Sequence, residues 1–136
     1  MNYSAGFYIA GDEVLLVRKT RGPEVLRGKL NAIGGKVDPE DSCDQACMSR
    51  EFYEETGHDV TDWDLKGYLS GEDFTVTFLI YYGDKFDTPE YNDVGEKLDW
   101  YKLNDLPDDL VPNVKWLLPL CLSNDTSIWH LYEKSI

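Results

Sequence analysis

Residues 34–58 read GGKVDPEDSCDQACMSREFYEETGH, a double glycine followed by a segment with a helical pattern. Near the end of this stretch, Glu51, Glu54 and Glu55 are spaced i, i+3 and i+4, so a helix would place the three carboxylates on one face. Like charges at this spacing repel by about 0.2–0.5 kcal/mol per pair. A bound cation would offset that repulsion, so the pattern predicts a metal site on this helix.

The boundaries of the helix are also marked in the sequence. Ser42 with Gln45 three residues later is typical of a capping box at a helix N-terminus, and Gly57 is typical of a C-terminal stop. These signals predict a helix over residues 42–56. Its apolar contact surface would be formed by Ala46, Met48, Phe52 and Tyr53.

Strand patterns surround the helix on both sides. Residues 5–10 and 14–17, separated by Gly11 and Asp12, predict a β-hairpin. Further strands are predicted at residues 65–69, 74–82, 98–103 and 128–132, and a second helix opens at Pro112 or Asn113. Strands before, between and after two helices indicate a layered domain of the α/β or α+β type.

A long loop is predicted from residue 19 to about residue 41, because this stretch contains four glycines and two prolines. It also concentrates positive charge, since five of the thirteen basic residues of the chain fall between positions 18 and 29 with Glu24 as the single acid there. These residues are Arg18, Lys19, Arg21, Arg27 and Lys29. The segment is interpreted either as a receiver of a small anion or as a solvated charged loop.

The composition sets limits on the class of protein. A chain of 136 residues with 42% apolar and 29% charged residues predicts one globular domain over residues 1–136. The net charge of −13 argues against binding to nucleic acid polymers. We expect a cytoplasmic protein without membrane partners, because the sequence contains neither a signal peptide pattern nor an apolar run of about 18 residues. Its oligomeric state is left open.

Cys43, Cys47 and Cys121 lack metal-binding spacing and are interpreted as reduced packing residues.

The stretch from Gly35 to Gly57 resembles the Nudix box, in which a glycine, five residues, a glutamate and seven residues precede Arg-Glu-apolar-any-Glu-Glu-any-Gly. Residues 50–57, REFYEETG, match the second half at every fixed position. The preceding residues 26–37, LRGKLNAIGGKV, are similar to the MutT-type oxidised-purine nucleoside triphosphatases, with Asn31 in the place of an asparagine before the double glycine. The resemblance implies an α/β fold, specifically a Nudix α/β/α sandwich with a mixed β-sheet.

The first half of the box departs from the family pattern. Fourteen residues separate Gly35 from Arg50, where the family has thirteen. Two interpretations remain open: Asp41 replaces the upstream glutamate and the extra residue lies in the helix, or Glu40 represents it and the loop is rearranged. His58 replaces the apolar residue expected after Gly57, which is interpreted as a substitution at the helix end.

The resemblance implies a Mg²⁺-dependent pyrophosphohydrolase, with Mn²⁺ as a possible replacement. The implied metal ligands are the carboxylates of Glu51, Glu54 and Glu55 and the backbone carbonyl of Gly35. The general base would be one of the glutamates or a loop carboxylate, with Glu96 as first candidate and Asp93 as second. Arg50 would orient Glu54 as an i, i+4 ion pair. The predicted catalytic residues are Glu51, Glu54, Glu96 and Arg50.

The resemblance also implies candidate substrate contacts. Asn31 and Asn113 would bind a purine, although Asn113 is equally interpreted as a helix cap. Lys36 and Arg27, with Arg21 or Lys29, could contact phosphates. The expected substrate is a nucleoside triphosphate such as 8-oxo-dGTP, cleaved to nucleoside monophosphate and pyrophosphate. The alternatives are a nucleoside diphosphate linked to another moiety, such as ADP-ribose or a dinucleoside polyphosphate, and a nucleotide-binding domain without catalysis.

Overall fold

The computed structural model describes residues 1–134, which form eight strands, two α-helices and one short 3₁₀ helix, Glu24–Leu26. In chain order the strands and α-helices are β1 (Asn2–Ala10), β2 (Glu13–Arg18), β3 (Leu30–Asn31), β4 (Ile33–Lys36), α1 (Asp44–Thr56), β5 (Asp64–Ser70), β6 (Thr75–Tyr82), β7 (Leu98–Lys102), α2 (Val114–Leu122) and β8 (Trp129–Tyr132).

The strands form one mixed sheet built around β1. One edge of β1 pairs with β6 in parallel along almost its whole length. The other edge is shared, because the C-terminal end of β1 turns into β2 while its N-terminal half pairs with β4. β2 continues to β3 and β7, and β6 continues through antiparallel β5 to parallel β8. This split edge brings β4 and its double glycine to the middle of the sheet.

The two helices cover opposite faces of the sheet. Side chains alternate along β1, so Phe7 and Ile9 pack with the α2 residues Val114 and Leu117, while Tyr8 and Ala10 pack on the α1 side. The core on the α1 side consists of residues such as Leu15, Met48, Phe52, Trp63 and Leu79. The arrangement confirms the predicted α/β/α sandwich with a mixed sheet.

The first hairpin has the predicted form. Ala10 pairs with Glu13 across the turn at Gly11 and Asp12, and Gly11 has a φ of 62°, which glycine adopts without strain. The predicted loop over residues 19–41 was wrong in part, because β3 and β4 lie within it. Residues 33–36 pair with β1 although two glycines weaken their intrinsic strand preference.

Helix α1 begins two residues later than predicted. Its first helical residue is Asp44, and the residue before it, Cys43, is extended and makes no side-chain capping hydrogen bond. The capping-box prediction at Ser42 was therefore wrong. The predicted C-terminal stop is confirmed, since Gly57 has a φ of 74° and its N–H donates to the Tyr53 carbonyl.

Two of the cysteines pack in the cores as predicted. Cys47 and Cys121 are fully buried, whereas Cys43 is exposed. Burial raises the pKa of the Cys47 thiol to about 11 and that of Cys121 to about 12, so both are neutral packing groups. Over residues 1–134, no helix has the length and apolar character that a membrane crossing requires.

Candidate active site

The double glycine places the backbone of β4 against two neighbours. A side chain at Gly34 would collide with the Ser4 carbonyl, and a Cβ at Gly35 would lie 2.5 Å from the Glu51 carboxylate carbon. Neither glycine has a positive φ. The pair is therefore required for close approach rather than for an unusual backbone conformation, and it seats the Glu51 carboxylate directly on β4.

Arg50 ties the segments of this site together. Its Nε and Nη2 donate to the two carboxylate oxygens of Asp41 at 3.0 and 2.9 Å. Its Nη1 donates to Glu51 at 3.1 Å and to Glu54 at 3.2 Å, and Nη2 also donates to the Lys36 carbonyl at 3.1 Å. The guanidinium thus fixes the start of α1, its glutamate face and the end of β4 relative to one another.

Of the two candidates for the upstream carboxylate of the box, the structure places Asp41 and not Glu40 against Arg50. The Asp41 side chain is only 6% exposed, and the N–H of Asp38 donates to its Oδ2 at 2.8 Å. The hydrogen bonds from Arg50 lower the pKa of Asp41 to about 2. Glu40 is exposed. Helix α1 is regular from Asp44 onward, so the extra residue lies in the segment between Asp41 and the helix and causes no bulge within it.

The three glutamates of α1 have two hydrogen-bond partners, because Glu51 and Glu54 share Arg50 whereas Glu55 contacts Asn92. Glu51 rests against Gly35, and Glu54, with a side chain 45% exposed, extends along Arg50. Glu55 turns inward, is 7% exposed and accepts a hydrogen bond from Asn92 Nδ2 at 2.8 Å. Within residues 1–134, no three His, Cys, Asp or Glu side chains converge as a ready metal cluster. The placement of a cation on this face stays a prediction; in the structure Arg50 holds Glu51 and Glu54 together, and Asn92 holds Glu55.

The same carboxylates nevertheless suit a divalent cation. Burial raises the pKa of Glu51 and raises that of Glu55 to about 7. The second carboxylate oxygen of Glu55, Oε2, is buried and finds no hydrogen-bond partner among the described residues. A buried carboxylate oxygen without a donor is destabilising, and coordination by a hard cation would satisfy it. The donor set of carboxylate oxygens therefore fits Mg²⁺ or Mn²⁺.

Glu96 has a structural environment. It is 1% exposed, and its carboxylate accepts the Thr20 N–H at 2.7 Å, the Arg21 N–H at 3.3 Å, and hydrogen bonds at 3.2 Å from both Lys19 Nζ and Asn92 Nδ2. Burial would raise the pKa of Glu96, but these donors outweigh it and hold the pKa below its ordinary value. Both oxygens are engaged away from solvent, so this geometry does not favour the predicted role of Glu96 as general base.

Asp93, the second candidate for the base, lies at the protein surface. Its side chain is exposed, and its negative charge contributes to the raised pKa of Glu55. Asp93 is therefore close enough to the α1 carboxylates to affect the site electrostatically.

The structure brings the two candidate purine residues into one region. The Val111 N–H donates to the Leu30 carbonyl at 2.8 Å, which places β3, with Asn31, beside the chain leading to Asn113. Asn113 directly precedes α2 with a φ of −68° and makes no side-chain capping hydrogen bond. The capping interpretation is therefore not supported. Asn31 Oδ1 accepts the N–H of Ala32 at 2.8 Å.

The candidate phosphate contacts differ in their surroundings. Arg27 is exposed, and its Nε donates to the Gly22 carbonyl at 2.9 Å within the same loop. Lys36 is exposed at the end of β4, and Arg21 is exposed beside the segment that Glu96 holds. Two other basic residues are engaged internally, since Arg18 pairs with Asp109 and Lys19 with Glu96.

Sequence reasoning missed Asn92. This residue is 8% exposed and its amide contacts both Glu55 and Glu96. The stretch Asn92-Asp-Val-Gly95 carries a turn signal, because an asparagine followed by a glycine three positions later is typical of a tight turn. That signal indicated a turn but not its contact with a helix 37 residues earlier in the chain.

Comparisons with known proteins agree on one family. The NUDIX domain family model matches residues 2–121. A MutT protein from Bacillus halodurans has a similar structure, with a TM-score of 0.77, 22% identity, and coverage of 98% of this chain and 90% of that one. An ADP-ribose pyrophosphatase from Streptococcus suis 89-1591 has a TM-score of 0.68 and 21% identity, with coverage of 97% of this chain and 98% of that one. The NUDIX domain of Shewanella oneidensis NrtR, solved as a complex with ADP ribose, has a TM-score of 0.69 and 12% identity, with coverage of 88% of this chain and 86% of that one. The chain therefore belongs to the Nudix family.

Proposed function

We propose that this chain hydrolyses nucleoside triphosphates to a nucleoside monophosphate and pyrophosphate, with a modified purine nucleotide such as 8-oxo-dGTP as its preferred substrate. The observation that carries the reaction is the buried Glu55 Oε2, which has no hydrogen-bond partner within residues 1–134, on the same helix whose Glu51 rests against Gly35. Members of the family act on nucleotide anhydrides with divalent metal ions. Here the cation would be Mg²⁺, with Mn²⁺ as a possible substitute.

The residues that would hold the cation are Glu51, Glu54, Glu55 and the carbonyl of Gly35. A bound divalent cation supplies charge neutralisation and lowers the pKa of a coordinated water. Gly35 allows Glu51 to approach β4, and Arg50 orients Glu51 and Glu54 from the opposite side. The protein's own contribution is thus a fixed arrangement of carboxylates that need not reorganise when substrate binds.

Glu54 is the carboxylate best placed to accept a proton from the attacking water. It is the most exposed of the three glutamates, and among the described residues only Arg50 donates to its side chain. Asp93 is the second candidate, because it is exposed and electrostatically coupled to Glu55. Glu96 is less suitable, since four different residues donate to its buried carboxylate.

The backbone pairing between the segments that lead to Asn31 and Asn113 supports a purine substrate. A side-chain amide donates and accepts hydrogen bonds at once, which suits the mixed donor and acceptor edge of a guanine. The Asn113 amide is not used for capping, and β3 lies directly beside the segment that leads to it. Lys36 and Arg27, with Arg21, are exposed and are the candidates for phosphate contacts.

A second candidate substrate keeps the chemistry and changes the leaving group. The chain is 21% identical to an ADP-ribose pyrophosphatase and 22% identical to a MutT protein, so sequence identity does not separate the two. A nucleoside diphosphate linked to a sugar or to a second nucleoside is therefore the alternative. Products distinguish the two substrates, because a triphosphate releases pyrophosphate whereas ADP-ribose releases a sugar phosphate.

The test is a panel of normal and modified nucleoside triphosphates, ADP-ribose and dinucleoside polyphosphates with Mg²⁺, followed by chromatographic identification of products. We expect pyrophosphate release, fastest with a modified purine. Glu54→Gln should lower kcat by at least about 100-fold with an unchanged melting temperature. Glu40→Gln is the matched control, because Glu40 is an exposed carboxylate of the same segment. A wild type inert across the panel would instead favour a binding domain without catalysis.

A further inference from the structure

We propose that Asn92 is a positioning residue of the cation site: its side-chain amide fixes the Glu55 carboxylate and joins helix α1 to the segment that Glu96 holds. The inference rests on the proposed function in one respect, the role of Glu55 as a cation ligand. It names a loop residue outside the family box as a determinant of cation affinity.

The amide of Asn92 donates in two directions. Nδ2 lies 2.8 Å from Glu55 Oε1 and 3.2 Å from Glu96 Oε1. Both hydrogens of the amide are therefore used on buried carboxylates. Within residues 1–134, Asn92 is the sole hydrogen-bond partner of the Glu55 side chain, so nothing else orients that carboxylate.

The orientation of the Asn92 amide is fixed by its own loop. Oδ1 accepts the N–H of Glu96 at 2.8 Å and the N–H of Val94 at 3.1 Å. The Asn92 N–H donates to the Glu96 carbonyl at 2.8 Å, and Gly95 closes the turn with a φ of 80°. Two backbone donors require an oxygen at this position, so the amide nitrogen has to face the two carboxylates.

This geometry decides which oxygen of Glu55 is available to a ligand. Oε1 is engaged by Asn92, whereas Oε2 is buried and has no partner among the described residues. Without the amide, the carboxylates of Glu55 and Glu96 would lose a shared donor inside the protein. Glu55 would then be free to rotate away from the cation position, and this change would weaken cation binding.

The same amide joins two segments that are distant in the chain. Glu96 accepts the backbone N–H groups of Thr20 and Arg21, and Asn92 connects this carboxylate to α1. The exposed Arg21, a candidate phosphate contact, is thereby held at a fixed position relative to the Glu55 ligand. Loss of the link would affect the cation and the phosphate contact together.

Two substitutions test the amide without destroying the turn. Asn92→Ser removes the amide nitrogen but leaves a hydroxyl oxygen that can accept the same backbone N–H groups, and Asn92→Thr does the same with an added methyl group and no change of charge. Mn²⁺ binding is measured on the full chain by the electron paramagnetic resonance of free Mn²⁺. We expect both variants to raise the Kd for Mn²⁺ at least about tenfold. Tyr91→Phe is the control, because it alters an exposed hydroxyl in the same loop.

Mg²⁺ kinetics separate positioning from stability. We expect a similar rise in the Mg²⁺ concentration for half-maximal rate, with kcat at saturating Mg²⁺ within about threefold of wild type. A purely structural role would lower the melting temperature and leave the Mn²⁺ Kd unchanged, and that result would overturn the inference. Should Asn92→Ser not fold, Asn92→Thr provides the same comparison. Normal Mn²⁺ affinity in the folded variants of an active wild type refutes the inference alone. Weakened Mn²⁺ binding with a wild type inert on nucleotides refutes only the proposed function, and a wild type that binds no Mn²⁺ overturns both.

Discussion

Replacing Asp41 by Asn should lower the free energy of unfolding at pH 7 by about 1–2.5 kcal/mol. Arg50 lowers the pKa of Asp41 from 3.8 to about 2, and a shift of this size corresponds to about 2.5 kcal/mol at most. The asparagine keeps one acceptor for the guanidinium, which places the expected loss below that limit. The Asp41 side chain is only 6% exposed, so solvent screens the ion pair little.

The pH dependence gives the sharper test. A carboxyl whose pKa is lowered on folding stabilises the protein fully above its unfolded value and loses that contribution as the pH falls. The contribution of Asp41 should therefore be complete above about pH 5, fall to about half by pH 3 and vanish below the folded pKa. The assay is urea denaturation of wild type and Asp41→Asn at pH 7, 4 and 3. A difference between the two proteins that stays constant over this range would refute the ion-pair explanation.

Glu40→Gln supplies the matched control for this experiment. Glu40 is the other candidate for the upstream position of the box and is exposed. Its substitution should change the free energy of unfolding by less than about 0.5 kcal/mol at every pH. An effect of Glu40→Gln as large as that of Asp41→Asn would mean that the inserted residue is accommodated differently from the structure described here.

Three further predictions concern the site. Gly35→Ala should weaken Mn²⁺ binding at least about tenfold in calorimetry, since the added Cβ would lie 2.5 Å from the Glu51 carboxylate; unchanged affinity would contradict the close approach. Asn113→Ala should raise KM for purine triphosphates but not for pyrimidine triphosphates. It should lower the free energy of unfolding by less than about 0.5 kcal/mol, because Asn113 makes no capping hydrogen bond. A larger loss of stability would restore the capping interpretation. Saturating Mg²⁺ at 100 times its Kd should add about 2.7 kcal/mol to the free energy of unfolding, and removal by a chelator should reverse this gain.

The fold was predictable where short-range patterns agree with the tertiary structure. The hairpin at Gly11 and the helix ending at Gly57 both depend on turn chemistry that the sequence states directly. β4 was not predictable in this way, because Ile33–Lys36 contains two glycines and becomes a strand only by pairing with β1. Tertiary pairing outweighs weak local preference there. The double glycine is explained by its close approach to Ser4 and Glu51, and neither residue has a positive φ.

The candidate site shows a similar division. Helical spacing places the carboxylates of α1, but it does not determine their directions. Those directions are set by two hydrogen-bond donors: Arg50 donates to Glu51 and Glu54, and Asn92 donates to Glu55. The contact between Asn92 and Glu55 spans 37 residues of sequence. Side-chain choices of this kind depend on which loop covers the helix, and no local pattern specifies it.

Charge links the cation site to the choice of substrate. The chain carries a net charge of −13, and the proposed substrate is itself a polyanion. The cluster of basic residues does not offset this charge in full, since Arg18 and Lys19 are already paired with Asp109 and Glu96. The buried Glu55 carboxylate adds a second negative charge that needs compensation. Burial disfavours its charged form, and its Oε2 has no hydrogen-bond partner among the described residues. A cation bound at Glu55 would neutralise both this carboxylate and the anionic substrate. Substrate affinity should therefore depend on the divalent ion more steeply than on Arg21 or Lys36.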